Sequence, residues 1–371
     1  MKIGIDARSL TTENKAGIGI YTNEIINNIN SEVLLISHKK INKNNNFKRD
    51  SIKTKTIQFP FYRWKIEKFW ENTVLISLAN QSNIDIYWGP RFFIPPRLKI
   101  KSVATIHDIA FTKFPNIVSK KQFKYFDSLI RSSVKNSDHF ISVSETTKID
   151  FCEYYNVNPE KVSVIFNGFN KYFSTKIPEY EILQVKNTFR ITGDFILFLG
   201  TLEPRKNLAR LIKAYLNSNA FKLKIPLVLA GKMGWLQKDL MKTINPLINS
   251  GDIILTGYLN IKQLKALYES CMFFAFPSIY EGFGIPVLEA MASGAAILTS
   301  NNSSLGELFA KTAHLVDPFS IDSIAEGIDK LLDCDYRDQL VKNSQLYINQ
   351  FSWQTSAHQH NNLFTKLINC C

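Results

Sequence analysis

The sequence predicts an α/β protein built as two doubly wound parallel-sheet domains, and three observations carry that prediction. The chain has 371 residues, more than one ordinary hydrophobic core organises. Short apolar runs recur along it, each followed by a loop bearing glycine or proline and then by a helical period. This series closes near residue 166 and restarts near residue 195, which sets the domains at 1–172 and 193–350, with a linker at 173–192 and a terminal helix at 351–371 expected to pack back on the first domain.

In chain order, residues 2–7 alternate as a first strand, and the loop Lys15-Ala16-Gly17-Ile18-Gly19 opens a helix with Ile20, Ile25, Ile26 and Ile29 on its apolar positions. A glycine pair after a first strand lies at the mouth of a doubly wound sheet. Residues 33–37 read as the second strand, and residues 39–55, rich in Asn and Lys, as a mobile surface excursion. Residues 59–70 mix aromatic and cationic side chains, which suits either a helix with a basic exposed face or an element lying at a membrane interface. Residues 84–88 and 102–106 are strand-like, and the second ends in His107-Asp108. A histidine there stands at the edge where parallel sheets place their chemistry, although in isolation a structural role explains it equally well. A basic amphipathic helix over 119–136, a strand over 139–143, a helix capped by Ser144 and a strand over 162–166 complete the first domain.

The second domain repeats the scheme with strands at 195–199, 227–230, 253–255, 272–276 and 296–299. After the first of them, Arg205 and Lys206 precede a helix over 208–216, where they either offer two cations to an anion or form a solvated basic turn. The stretch 276–294 organises the domain. Pro277 ends a strand, Gly282 and Gly284 leave the backbone room for a close approach, Pro286 suits a first helical turn, and Gly294 stops the helix. Amides at such a helix start, just past a strand's carboxyl end, form an anion site. Glu281 and Glu289 frame it. Leu288, Ala290 and Met291 make the helix apolar, so Glu289 is either solvated at its edge or held for a ligand hydroxyl, since a buried carboxylate without a partner is costly.

Composition narrows the class. With 45% hydrophobic and 21% charged residues, and no apolar run near the roughly 20 residues that cross a bilayer, the chain reads as soluble. Its start enters the fold without a leader-like segment, so a cytoplasmic place is expected. The five cysteines show no metal-ligand spacing and read as reduced thiols, and Cys370-Cys371 lacks the form of a lipidation signal. The net charge of +13 is uneven, with +11 in residues 1–175 and +2 in the rest, so the first half either meets an anionic partner or is only well solvated.

Taken together, Glu281-x7-Glu289 within Ser-Ile-Tyr-Glu-Gly-Phe-Gly-Ile-Pro-Val-Leu-Glu-Ala-Met-Ala, the loop Gly-Thr-Leu-Glu-Pro-Arg-Lys-Asn and the strand end Thr-Ile-His-Asp resemble the retaining glycosyltransferases of family 4, and among them bacterial polysaccharide mannosyltransferases. The resemblance covers nearly the whole chain. It implies the GT-B fold, in which two Rossmann-like domains face each other across a cleft. It further implies that Glu289 holds the ribose hydroxyls of a nucleotide sugar, while Glu281 orients the sugar with the backbone of Gly282, Phe283 and Gly284. Lys206 would meet the diphosphate with Arg205 assisting, His107 would lie near the anomeric centre, and Gly17 with Gly19 would approach the phosphate from the first domain. One departure bears on this: many members carry arginine directly after the strand glycine, where this chain has Thr201, so the number of cations on the leaving group depends on Arg205.

With side chains and helix amides meeting the diphosphate charge, no cofactor and no metal are expected, and Asp333-Cys334-Asp335 reads as solvated surface between helices. Front-face attack is expected, with the departing phosphate taking the acceptor's proton. The donor implied first is GDP-mannose, with UDP-sugars open. The acceptor implied is a lipid-linked saccharide, met at an anionic membrane surface through residues 39–55 and 61–68. Nucleic acid is not expected, because the cations are dispersed and no recognition motif appears. A two-domain solute receptor, which would need export, and a phosphorylase, which would depend on orthophosphate, are the remaining rivals.

Overall fold

The computed structural model describes residues 1–12, 17–42, 45, 47, 52–56, 69–201, 203–231 and 238–369. It divides into two compact units, Met1–Gly168 with Phe351–Cys371, and Phe169–Gln350.

The first unit holds a seven-stranded sheet of β1 (Lys2–Asp6), β2 (Glu32–Ser37), β3 (Ile52–Thr56), β4 (Ile86–Gly89), β5 (Lys101–Ile106), β6 (His139–Ser142) and β7 (Val162–Val164). Its order is β3-β2-β1-β4-β5-β6-β7, with every pair parallel. The second unit holds β8 (Ile196–Leu199), β9 (Leu227–Ala230), β10 (Ile253–Gly257), β11 (Phe273–Phe276), β12 (Ala296–Ser300) and β13 (His314–Val316), in the order β10-β9-β8-β11-β12-β13, again all parallel. In each sheet the winding reverses once, between β1 and β4 and between β8 and β11. Such a reversal opens a crevice outside the carboxyl ends of the two strands, because the loops that follow them leave in opposite directions.

The apolar runs are continuous because helices cover both faces of each sheet: Leu-Val-Leu-Ala in β9 and Phe-Phe-Ala-Phe in β11 are buried throughout. The helix Leu208–Asn217 shows the complementary pattern. Leu208, Leu211, Ile212 and Tyr215 recur at helical spacing and pack with Ile196, Phe198 and Leu229 in the core of the second unit.

Three expectations need correction. Residues 52–55, counted in a surface excursion, pair with β2 within the edge strand β3, where Lys53 forms an ion pair with Glu32 at 3.4 Å. Residues 43, 44, 46 and 48–51 of that excursion, and residues 61–68 of the aromatic and basic run, lie outside the described residues. Trp70, at the end of that run, is a core residue, since it is 1% exposed. Residues 173–192 are not a linker. The carbonyl of Phe173 accepts from Lys265 Nζ at 2.8 Å and Ser293 Oγ at 3.3 Å, and the helix Glu179–Thr188 packs on the helix Ile261–Ser270. The chain passes between units at 168/169 and 350/351 instead.

The reversal point of the first sheet carries a buried charge network. Arg8 Nη2 donates to Asp6 Oδ2 at 2.6 Å and its Nε to Asp6 Oδ1 at 2.9 Å, its Nη1 bonds Glu71, and its guanidinium stands 5.3 Å from the Trp70 ring. Removing one member of such a network strands charge in a dry interior, which costs about 3–5 kcal/mol. Arg8→Ala is therefore expected to lower the urea midpoint by a free-energy equivalent of that size. A loss below about 1 kcal/mol would mean that the two carboxylates find other partners.

Candidate active site

The reversal point of the second sheet gathers the charged residues that the sequence singled out. Gly200 follows β8 and donates to the carbonyl of Ala230 at 3.0 Å. Gly231, at φ +129°, follows β9, and a Cβ there would lie 2.1 Å from the Gly200 carbonyl oxygen, so only glycine lets these strand ends close together. The loop then turns through Pro204–Lys206 into Asn207, which takes the left-handed conformation at φ 62°. The Asn207 amide donates to the carbonyls of Pro277 and Pro318 at 3.0 and 2.6 Å, and Ile279 N donates to the Arg205 carbonyl at 2.9 Å. The loop after β8 is thereby tied to the loop after β11.

Between them stands a compact ionic cluster. Lys206 Nζ donates to Glu281 Oε1 at 2.6 Å, and Arg205 Nη1 donates to Glu281 Oε2 at 2.7 Å and to the Tyr280 carbonyl at 3.1 Å. Arg205 also reaches Glu203 Oε1 through Nη2 at 3.0 Å. Glu281 is 8% exposed. Burial works to raise its pKa, but the charges of Arg205 and Lys206 outweigh burial and hold it at about 2. Burial also pulls the Lys206 ammonium below its ordinary range, against the attraction of Glu281 and with the repulsion of Arg205. Two cations are thus pre-assembled on a carboxylate and can be transferred to an incoming anion without gathering them from water.

Gly284, at φ 102°, opens the helix Ile285–Ala292, and a Cβ there would meet Leu305 at 2.8 Å. The carbonyl of Glu281 accepts from Ser304 Oγ at 2.8 Å, which fixes the loop just ahead of that helix. Glu289 contrasts with Glu281. Among the described residues its carboxylate has no hydrogen bond or ion pair, and burial alone pushes its pKa up to about 8. Among the described residues the buried hydroxyl of Tyr268 has no partner, and after burial the charge of Glu289 is the next influence raising its pKa. One carboxylate is pinned in its ionised form and the other is held mostly protonated at neutral pH.

His107 belongs to the first unit, directly after β5. Its Nε2 lies 2.8 Å from the Pro90 carbonyl, so Nε2 carries the proton and Nδ1 is the acceptor. Burial lowers its pKa, partly offset by that carbonyl and by Asp108. The imidazole is therefore neutral at pH 7. Gly17 is the first residue of the helix Gly17–Asn28, with open space where a Cβ would sit, while Gly19 is buried within the first turn. Lys15 and Ala16 lie outside the described residues, as do Cys370 and Cys371. Asp333 is a helix cap accepting from Tyr336 N at 3.2 Å, and among the described residues no three His, Cys, Asp or Glu side chains gather as metal ligands. Sequence reasoning missed Glu203 as a second acid on Arg205 and Asn207 as the tie between loops. The left-handed preference of asparagine was the available signal for Asn207.

Two Rossmann-like units, one with a cationic cluster at its reversal point beside a helix start, have the make-up of the GT-B fold. Residues 180–347 match the family Glycosyl transferases group 1, and residues 30–171 match Glycosyltransferase Family 4. The O-antigen chain mannosyltransferase B of Escherichia coli is 30% identical over 285 residues, 76% of this chain and 74% of that protein. The chain belongs to this glycosyltransferase family. The serotype-specific mannosyltransferase WbdA of Escherichia coli is 31% identical over 277 residues, and there the match takes 72% of this chain and 34% of WbdA, about a third of its length. The crystal structure of Anabaena HepE in complex with UDP and glucose shares the fold at a TM-score of 0.75, with 17% identity over 98% of this chain and 99% of that one.

Proposed function

We propose that the chain is a retaining, metal-independent mannosyltransferase that moves mannose from GDP-mannose onto a lipid-linked saccharide in O-antigen or related surface-polysaccharide synthesis. The observation that carries the reading is the Arg205, Lys206 and Glu281 cluster beside the start of the helix Ile285–Ala292, and the likeness to mannosyltransferases supports mannose as the sugar. In this reading the two cations pass from Glu281 to the diphosphate as it departs, and Arg205 takes the position that Thr201 leaves without a cation. Glu289 accepts from the ribose hydroxyls. Glu281 and the backbone of Gly282, Phe283 and Gly284 orient the sugar. The departing phosphate takes the proton of the acceptor hydroxyl, which attacks from the same face. Neutral His107 supports the positive charge on the sugar through its lone pair.

The test is turnover of labelled GDP-mannose on a lipid-linked acceptor, with UDP-glucose and UDP-N-acetylglucosamine as competing donors, and the anomeric configuration of the product read by NMR. Release of GDP with an α-mannosyl product supports the reading; turnover of a UDP-sugar alone overturns the donor assignment. The reaction is expected to run at full rate in EDTA, because side chains supply the positive charge. Loss of activity restored by Mg²⁺ or Mn²⁺ would remove metal independence.

Among the described residues no helix is long and apolar enough to cross a membrane. Peripheral attachment through the basic first half, at the cytoplasmic face, is part of the proposal. Each cation near an anionic leaflet contributes about 1 kcal/mol, so sedimentation with vesicles is expected to rise with anionic lipid and fall with salt. It should drop when Lys39, Lys40, Lys43, Lys48 and Arg49 are changed to Gln, and the absence of any retention would point to a soluble acceptor.

A further inference from the structure

The first unit contains a hydrogen-bond chain that runs from its sheet into the C-terminal helix Trp353–Asn369. Trp88 Nε1 donates to Thr105 Oγ1 at 2.9 Å, so the Thr105 hydroxyl is free to give its own proton to the Tyr21 oxygen, 3.2 Å away. At the far end, His360 Nδ1 lies 2.7 Å from the Ser356 carbonyl, which only accepts, so Nδ1 carries the proton and Nε2 is an acceptor. Tyr21 therefore donates to His360 Nε2, at 2.6 Å. Every donor in the chain is used once and the direction of each bond is fixed. Tyr21 is 1% exposed and His360 0%, so no water competes for these positions. The Tyr21 ring stands perpendicular to the His107 ring, with centroids 4.7 Å apart, while the carbonyl of Pro90 holds that imidazole through Nε2. His107 is thus gripped from two directions, and one grip ends in the last helix of the chain.

We infer that His360 is a positioning residue for His107, acting through the hydroxyl and ring of Tyr21, so that the C-terminal helix sets the orientation of the imidazole without touching it. The alternative is a purely structural bond that only fastens the helix Trp353–Asn369 to the helix Gly17–Asn28. One observation favours the positioning role. A clamp between two helices needs no aromatic ring carried onward to a third element, and Tyr21 makes that contact at the centroid distance of an edge-on aromatic pair.

The inference rests on the proposed role of His107, and the experiment separates the two. In the full chain, His360→Leu removes the acceptor for Tyr21, His360→Gln restores one through its amide oxygen, and Tyr21→Phe keeps the ring but cuts the chain. The His107 imidazole is followed by long-range proton–nitrogen NMR, alongside kcat and the Kd for GDP. His360→Leu is expected to shift the His107 ring signals and to lower kcat about tenfold, since small misplacements at a reacting centre weigh heavily on rate, with the GDP Kd unchanged. His360→Gln should recover most of both effects. In a His107→Ala background, His360→Leu should lower kcat no further. Unshifted His107 signals in folded His360→Leu overturn the inference, as does an undiminished tenfold loss in the His107→Ala background. If His360→Leu does not fold, Tyr21→Phe carries the same readouts, and unshifted signals there overturn it equally. A kcat unaffected by His107→Ala would instead remove the catalytic role of His107, while the NMR signals still decide the positioning.

Discussion

Lys206→Ala is expected to lower kcat by about 10²–10³-fold while leaving a folded protein, because the charge it meets is greatest on the departing diphosphate. The geometry explains why the loss should fall on rate. Lys206 Nζ sits 2.6 Å from Glu281 and 4.7 Å from the centroid of the Phe276 ring, so burial and two neighbours fix its position before any ligand arrives. Binding of the ground-state donor exchanges one anionic partner for another. Bond breaking adds negative charge that Glu281 does not match. Arg205→Ala should act in the same direction but less, since its guanidinium is divided between Glu203 and Glu281. The two share one carboxylate, so the double mutant should lose less than the product of the single losses. Unfolding should respond modestly, by about 1–3 kcal/mol, as Glu281 retains one cation in each single mutant. Steady-state kinetics and GDP binding on the three variants check this. A folded Lys206→Ala with unchanged kcat would reduce the cluster to a structural ion pair.

What could be read in advance follows from how each part is encoded. Central strands such as β11 and β9 are covered on both faces, so their apolar runs stand out in the sequence. The edge strand β3 reads Ile-Lys-Thr-Lys-Thr, needs one partner only, and by composition looks like the loop before it. β13 has three residues, too few to show a period. Residues 173–192 looked like a linker because linkers are judged by the absence of strands, whereas a buried lysine, Lys265, and the helix Glu179–Thr188 tie them to the second unit. For the site, the motif identified Arg205, Lys206, Glu281 and Glu289. It did not disclose that Glu281 holds both cations, because that depends on two loops meeting, with Lys206 and Glu281 75 residues apart in the chain. Nor did it disclose the opposite protonation of the two glutamates. Arg205 and Lys206 beside Glu281 hold its pKa at about 2, whereas burial without a neighbouring cation raises that of Glu289 to about 8.

Binding of GDP near pH 7 is expected to release a proton from Glu289, and Glu289→Gln to abolish that release. With its pKa raised to about 8 by burial, Glu289 is mostly protonated at pH 7 in the free enzyme. Ribose hydroxyls donate more strongly to a carboxylate than to a carboxylic acid, so binding favours the ionised form. GDP affinity should therefore climb as pH rises towards about 8, by up to tenfold per unit, and level off above it. Titration calorimetry in buffers of different ionisation enthalpy counts the proton, and the difference between wild type and Glu289→Gln removes the contribution of the GDP phosphate. Stability gives an independent sign. A carboxyl whose folded pKa lies above its unfolded one contributes fully below the unfolded value near 4.5, and that contribution is lost as pH rises through about 8. Glu289→Gln, free of this ionisation, should accordingly unfold at a higher urea concentration than wild type at pH 9, by roughly 1–3 kcal/mol, and the advantage should disappear below pH 4.5. The same substitution should weaken GDP binding by about 1.5–3 kcal/mol, so that one side chain is unfavourable to the free protein and favourable to the complex. Equal proton release in the two proteins, together with unchanged GDP affinity in the variant, would take the ribose away from Glu289.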